Sequence, residues 1–401
     1  VKRAAQLATP GISPAELPDK PPQCGRTPSF PADPLDPLPR DAVVAVAMSG
    51  GVDSSVAAAR CVAHGVRVIG ITLAMWPRHR TVERDRGCCS IDAVEDARRV
   101  AATLAIPHYP WNLEDDFAAL VIRDFEDEYA AGRTPNPCVR CNERIKFGAL
   151  LQRALSLGAT HVATGHYARI GRRGDTLTLH RAADSRKDQA YTLHRLDQRQ
   201  LRHAVFPLGA MPGKDAVRAV AAELGLGTAA KPDSQELCFV DASLPDELSR
   251  RLQGRYAAGP ILSLDGEVIG EHRGLPFYTV GQRAGLGIAP RTPDAPPLHV
   301  VRIDSAANAI TVGPRHALLR EAITSRDCSW VAGRPAAAGT RCTVQLRAHG
   351  AAHDAVVLRA DRDGGLELHL DPPVAQVSPG QSAVLYDGDE VLGGGTVAEA
   401  A

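Results

Sequence analysis

The sequence predicts a parallel, doubly wound α/β domain, then a small central β-rich domain and a C-terminal β-barrel. Three observations carry that prediction. Short apolar runs alternate with helix-spaced segments from residue 41 to residue 243. A glycine turn joins the first apolar run to the first helical segment. After residue 243 the helical spacing gives way to short strand-like pieces separated by Gly, Pro and Asp. At 401 residues the chain is too long for one ordinary domain, and 44% hydrophobic residues suffice for real cores. The expected divisions are a disordered tail over 1–40, a catalytic domain over 41–243, the central domain over 244–308 and the barrel over 309–401.

Taken in order, residues 1–40 hold 10 of the 30 prolines and no apolar period, which is the composition of a disordered tail. Residues 42–47 form a buried strand, followed by the glycine turn and a helical run over Asp53–Ala63. Val66–Leu73 is a second strand, Asp92–Leu104 a helix, Ile106–Trp111 a short strand and Phe117–Ala131 a helix. Cys141–Leu157 has helical spacing, and His161–Thr164 leads a strand into Gly165 and His166. Beyond residue 243 the strand-like pieces include 259–264, 267–270, 298–303, 309–312, 342–347, 355–358, 367–370 and 382–386.

Lys+Arg and Asp+Glu balance at 46 each, so no global charge announces a nucleic-acid or membrane partner, although a local basic face remains open. No apolar run approaches the roughly 18 residues of a membrane span, and no signal peptide opens the chain. Nine cysteines without an export signal point to reduced, catalytic or metal-binding thiols and to a soluble, cytoplasmic protein. The basic residues are 40 arginines and only 6 lysines. Under such bias a surviving lysine marks a place where arginine does not serve, for instance a compact ammonium for a phosphate. Lys146, Lys187 and Lys231 lie in polar or cysteine-bearing segments, whereas Lys214 is expected on an exposed helix.

The strongest local signal is Ala47–Ser55, whose Ser-Gly-Gly-x-Asp-Ser core stands between a strand and a helix. Glycines let the turn present N–H groups and hydroxyls to a phosphate at the helix N-terminus. The ordinary nucleotide loop and the dinucleotide fingerprint are both absent. The core resembles the pyrophosphate loop of ATP pyrophosphatases, which activate an oxygen as an AMP ester. A second signal is Cys138-x-x-Cys141 at a helix start, where the dipole and nearby Arg140 and Arg144 favour thiolate. On its own it leaves redox and metal roles open, with Cys88, Cys89 and Cys238 as further ligands. Cys61, Cys328 and Cys342 read as core or incidental residues, and Cys24 lies in the tail.

Together these residues resemble the tRNA-specific 2-thiouridylase family over residues 42–395. The motifs appear in order: Met48–Ser55, Gly132–Pro137 with Cys141 and Asn142, Ala163–Tyr167, Lys187–Gln189, Phe206–Gly209, Lys231–Phe239, Gly281–Gly287 and Leu392–Gly395. The resemblance implies ATP-dependent 2-thiolation of the wobble uridine in tRNAs for Lys, Glu and Gln, with AMP and pyrophosphate as products. It implies ATP contacts from Ala47, Met48, Ser49, Gly50, Gly51, Val52, Asp53, Ser54, Leu73 and Gly165. Asn136, Pro137 and Cys138 would face the target base. His166, Lys187, Asp188, Gln189, Arg347, Ala348 and Gln381 match tRNA-contacting positions, Ala348 standing where an aromatic is often found. Cys141 is implied as the nucleophile and Cys238 as the persulfide carrier, the two joining in a disulfide that is reduced before the next turnover. Mg2+ would offset the pyrophosphate charge.

Cys138 stands where other members often carry aspartate. The alternative implied is a [4Fe-4S] cluster on Cys138, Cys141 and Cys238 as sulfur carrier. A cysteine desulfurase or a relay of small carrier proteins would supply the sulfur. A rival enzyme reading keeps the loop but uses ammonia or an amino acid as nucleophile, and requires no cysteine. A third reading is a non-catalytic tRNA- or metal-binding protein, which the intact Ser49, Asp53 and Ser54 oppose.

Overall fold

The computed structural model describes residues 18, 20–21, 38–75, 91–233, 237–240, 243–288, 296–361 and 364–400. Most of the expected tail with Cys24, and the Cys88–Cys89 pair, lie outside the described residues. The chain forms two compact units, one of residues 1–120, 141–190 and 198–241, the other of 121–140, 191–197 and 242–401.

The first unit is built on a five-stranded parallel sheet. Its strands are β1 (Val43–Ala47), β2 (Arg67–Ala74), β3 (His108–Asn112) and β4 (His161–Ala163), with Ala204–Val205 at one edge. β2 and β4 flank β1, and β3 lies outside β2. Val44 and Val46 of β1 pack with Val56 and Val62 of the helix Val52–His64 and Val100 of the helix Ile91–Thr103, all buried. Burying each such aliphatic side chain contributes about 1.5–3 kcal/mol, which is why an uninterrupted apolar run here is a two-faced strand. The third strand starts two residues later than the spacing predicts. Ala105 takes a left-handed φ of 55° and Ile106 N–H donates to Ala101 C=O at 3.0 Å, so the chain is still closing the helix. A hairpin, Ala168–Arg173 with Thr176–Arg181, follows β4 and was not expected from the sequence.

The second unit holds two β structures. A four-stranded sheet joins Gly259–Leu262, Val268–His272, His299–Asp304 and Ala309–Gly313, and Ile261, Val300 and Ile310 form its core. Six antiparallel strands then close on themselves: Arg320–Trp330, Arg341–Gln345, Ala352–Ala360, Leu366–Val374, Ser382–Asp387 and Glu390–Ala400. Closure comes from pairing of the first strand with the last, and Ile323, Val344, Val357, Leu368, Leu385 and Val397 fill the interior. Among the described residues no helix is long and apolar enough to cross a membrane.

Candidate active site

In an open parallel sheet, ligands bind beyond the carboxyl ends of strands where the strand order reverses. Here that point lies between β1 and β4, and the turn after β1 is the Ser-Gly-Gly segment. Met48 N–H donates to Ile71 C=O at 2.8 Å and Thr72 Oγ1 donates to Met48 C=O at 2.8 Å, which pins the turn to β2. Ser54 Oγ accepts from Ser49 N–H at 3.1 Å and donates to Gly51 C=O at 3.1 Å. Gly50 has φ 68°, and a Cβ there would meet Ala93 O at 2.3 Å. The helix Val52–His64 starts immediately after, so its unpaired N–H groups and dipole favour an anion at this turn.

Three lysines converge on this turn. Lys214 Nζ lies 2.7 Å from Asp53 Oδ2 and 2.8 Å from Asp233 Oδ1. Lys187 Nζ pairs with Asp233 Oδ2 at 3.2 Å. Lys231 Nζ donates to Gly50 C=O at 3.0 Å and to Asp96 Oδ2 at 2.6 Å. Arg218 adds a fourth cation, 3.0 Å from Asp233. Burial pushes the Asp233 carboxyl up, but its hydrogen bonds from Lys214 and Lys187 outweigh that and hold it below the ordinary range. Tyr167 donates to Asp53 Oδ1 at 2.7 Å; burial and that carboxylate push its hydroxyl far up, so it remains a donor.

Lys214 corrects the expectation of an exposed helix. It opens the helix Lys214–Glu223, but its side chain is only 12% exposed and bridges two carboxylates. The scarcity of lysine was the available signal, and it applied to this residue as well.

Gly165 lies against the start of the same helix, where an added Cβ would stand 2.8 Å from Asp53 C and Ser54 N. Gly165→Ala should therefore displace the loop, lowering stability by about 1–3 kcal/mol. Thermal unfolding checks it. His166 is buried, with Nδ1 2.7 Å from Thr164 Oγ1 and Nε2 3.5 Å from Lys146 Nζ. Burial, reinforced by Lys146, holds its pKa well below 6.5, so the ring is neutral. Leu73 is buried on β2 beside Trp111 of β3. Asp188 braces its turn, accepting from Ala182 N–H at 2.9 Å and pairing with Arg181. Gln189 Oε1 accepts from Tyr167 N–H at 3.1 Å.

The cysteines lie in different settings. Asn136 Oδ1 accepts from Cys138 N–H at 3.1 Å and Pro137 opens the helix, a side-chain cap followed by proline at the first helical position. The helix therefore starts four residues earlier than the spacing predicts. From Cys141 to Leu150 it takes the wide π form, which recurs at functional sites. Cys138 is exposed and Cys141 buried. Cys238 is half-buried in a turn closed by Val240 N–H to Leu237 C=O at 3.0 Å. Next to it, buried Phe239 packs edge-on to Phe117. Cys141 and Cys238 are thiols here rather than a disulfide. Burial pushes Cys328 and Cys342 up to about 12 and about 11, so neither is a thiolate at neutral pH.

The remaining predicted residues belong to the second unit. Gln381 Nε2 donates to Thr134 C=O at 2.7 Å, tying the barrel to the segment before Asn136. Arg347 is exposed, 3.3 Å from Gln376 Oε1, and buried Gln345 holds the carbonyls of Arg347 and Ala348.

Three protein-family models match the chain: a tRNA methyl transferase HUP domain over 42–242, a tRNA methyl transferase PRC-barrel domain over 246–314 and an aminomethyltransferase beta-barrel domain over 320–397. A tRNA-specific 2-thiouridylase MnmA from Acidothermus cellulolyticus is 49% identical over 88% of this chain and 97% of its own. Those from Beutenbergia cavernae and Heliobacterium modesticaldum are 48% and 45% identical, each over 88% of this chain and 94% and 92% of their own. Among solved structures, the U34-tRNA thiolase NcsA from Methanococcus maripaludis with its [4Fe-4S] cluster is similar over 55% of this chain and 70% of that one. The TM-score is 0.34 at 18% identity, a likeness too loose to bear on the reaction.

Proposed function

The chain belongs to the tRNA-specific 2-thiouridylase family, and from that premise we propose how its residues carry out ATP-dependent sulfur transfer to tRNA. The observation that supports the reading best is one short segment. Lys231 is hydrogen-bonded to the phosphate loop at Gly50, and Cys238 follows seven residues later.

The substrate uridine is the wobble base of tRNAs for Lys, Glu and Gln. Its C2 oxygen attacks the α-phosphorus of ATP and pyrophosphate leaves. Ala47–Ser54, Gly165 and the strand end at Leu73 bind the nucleotide. Lys187, Lys214 and Lys231 exchange their aspartate partners for phosphate oxygens as charge builds on the leaving pyrophosphate. A carboxylate beside the phosphates would hold Mg2+ there. Asp53, 34% exposed at the helix head, fits that role, and the ion would offset the pyrophosphate charge.

The resulting adenylate makes C2 electrophilic. Cys238 carries the sulfur as a persulfide, loaded by a cysteine desulfurase or a carrier relay. Cys141 attacks the Cys238 sulfur, the terminal sulfur leaves as sulfide and adds to C2, and AMP departs. The Cys141–Cys238 disulfide left behind is opened by an external thiol before the next cycle. Asn136, Pro137 and Cys138 face the unstacked base; His166, Lys187–Gln189, Arg347, Ala348 and Gln381 serve the tRNA.

A [4Fe-4S] cluster on Cys138, Cys141 and Cys238 is the second reading, favoured by the cysteine at position 138. Among the described residues no group of three or more His, Cys, Asp or Glu is arranged to hold a metal. The test is thiolation by protein purified without oxygen and stripped of metal, supplied with ATP, Mg2+, desulfurase and cysteine. Retained 2-thiouridine formation is expected. Loss that returns only with iron and sulfide would replace the persulfide route by the cluster.

A further inference from the structure

The barrel strand Arg320–Trp330 is interrupted. Its pairing with Glu390–Ala400 shifts register between Arg326 and Ser329, and Asp327 within the bulge has a left-handed φ of 53°. Such a conformation in a non-glycine residue persists only where its surroundings hold it, and here two arginines do. Arg195 Nη1 donates to Asp327 C=O at 2.5 Å and Nη2 to Oδ1 at 3.1 Å. Arg140 Nη2 donates to Oδ2 at 2.8 Å. The arginine side chains are 8% and 12% exposed, and both pair with this carboxylate; Arg140 also makes a longer 3.5 Å contact with Asp124. Ser329 Oγ adds a bond to Arg195 C=O at 3.2 Å. Arg140 is the residue directly before Cys141 and two after Cys138.

We propose that Asp327 is a positioning residue for sulfur transfer: by clamping Arg140 it fixes the helical turn that carries Cys138 and leads into Cys141. The proposal rests on Cys141 being the catalytic thiol. A nucleophile displaced by about 1 Å loses about 10²-fold in rate, and the first turn of a helix has few bonds of its own to hold it. The bulge supplies what that turn lacks. It directs a carboxylate out of the barrel ladder and onto the only guanidinium within the Cys-x-x-Cys. Burial works against ionisation of Asp327, but Arg195 and Arg140 outweigh it and hold its carboxyl below the ordinary range, so the clamp is charged at neutral pH.

The test compares Asp327→Asn, Arg140→Gln, the double variant and Cys141→Ser. Asparagine tolerates left-handed φ, so Asp327→Asn removes the charge without forcing the bulge to refold. Thiolation kcat should fall about 10–100-fold in Asp327→Asn. KM for ATP and tRNA and tRNA-dependent pyrophosphate release should change by less than about twofold. Arg140→Gln should give the same split, and the double variant should be no worse than the worse single. Thermal unfolding is measured for each, and Arg140→Gln tests the same bond from its other end if Asp327→Asn does not fold. Wild-type thiolation in folded Asp327→Asn beside an inactive Cys141→Ser overturns the clamp alone. So does an equal fall in pyrophosphate release, or multiplicative losses in the double variant. A Cys141→Ser that still thiolates overturns the reading of the thiol and the clamp with it.

Discussion

Cys238→Ser should abolish 2-thiouridine formation, by about 10³-fold or more, while tRNA-dependent pyrophosphate release continues. A serine hydroxyl cannot hold a transferable sulfur, but it leaves the loop, the lysines and the adenylation step intact. Cys141→Ser should give the same loss with a different stalled species. Its Cys238 should accumulate as the persulfide, seen as one added sulfur by mass spectrometry after desulfurase loading. Cys138→Ser should retain thiolation. If pyrophosphate release fell in step with thiolation in both variants, sulfur transfer and adenylation would not be separate steps, and the assignment of the two thiols would fail.

The second large effect is at Lys214. Lys214→Ala removes the ammonium that bridges Asp53 and Asp233, leaving Asp233 to Lys187 and Arg218 and Asp53 to Tyr167, and on the proposed reading it takes a cation from the pyrophosphate. Pyrophosphate release should fall about 10²–10³-fold, and stability by about 1–3 kcal/mol, between the exposed and buried limits for a broken ion pair. Lys214→Arg should recover stability better than activity, because a planar fork does not replace a compact ammonium. The acid limb of stability carries a further sign. The ion pairs hold Asp233 below its ordinary 3.8, so their contribution is complete above that value and is lost as the pH falls through the lower folded value. Lys214→Ala should therefore lose less stability than the wild type on acidification through that range, as urea unfolding at stepped pH will report. Wild-type pyrophosphate release in Lys214→Ala would remove this residue from the site.

What the sequence disclosed and what it withheld divide by range. The β1–turn–helix unit was legible because each of its signals is local: an apolar run, two glycines and helical spacing. The Cys-x-x-Cys at a helix start was legible for the same reason, since Asn136 caps the turn that Pro137 opens. Lys214 was not, because the carboxylate that defines its role, Asp53, is 161 residues away. The hairpin after β4 was missed although its Gly174-Asp175 turn is a recognised signal; arginines at 169, 172, 173 and 181 obscure its alternation. The first and last barrel strands were missed too. Gly393–Gly395 entered only as part of the Leu392–Gly395 motif, yet they lie inside a strand that pairs on both edges. Asp327 was invisible in the sequence, since nothing local marks a bulge whose purpose is met by arginines at 140 and 195.

The two units are interleaved along the chain, and this bears on inheritance and engineering. Residues 121–140 and 191–197 fold with the barrel although they are encoded within the stretch matched as the HUP domain. A fragment cut at the boundary between the matched domains would take Asp327 and Gln381 without Arg140, Arg195 and Thr134, the groups they bind. The pieces that look like exchangeable cassettes in the gene are therefore not autonomous as folding units. Recombination at those seams exchanges half of each hydrogen bond, and viable chimaeras have to carry 121–140 and 191–197 along with the barrel they were selected beside.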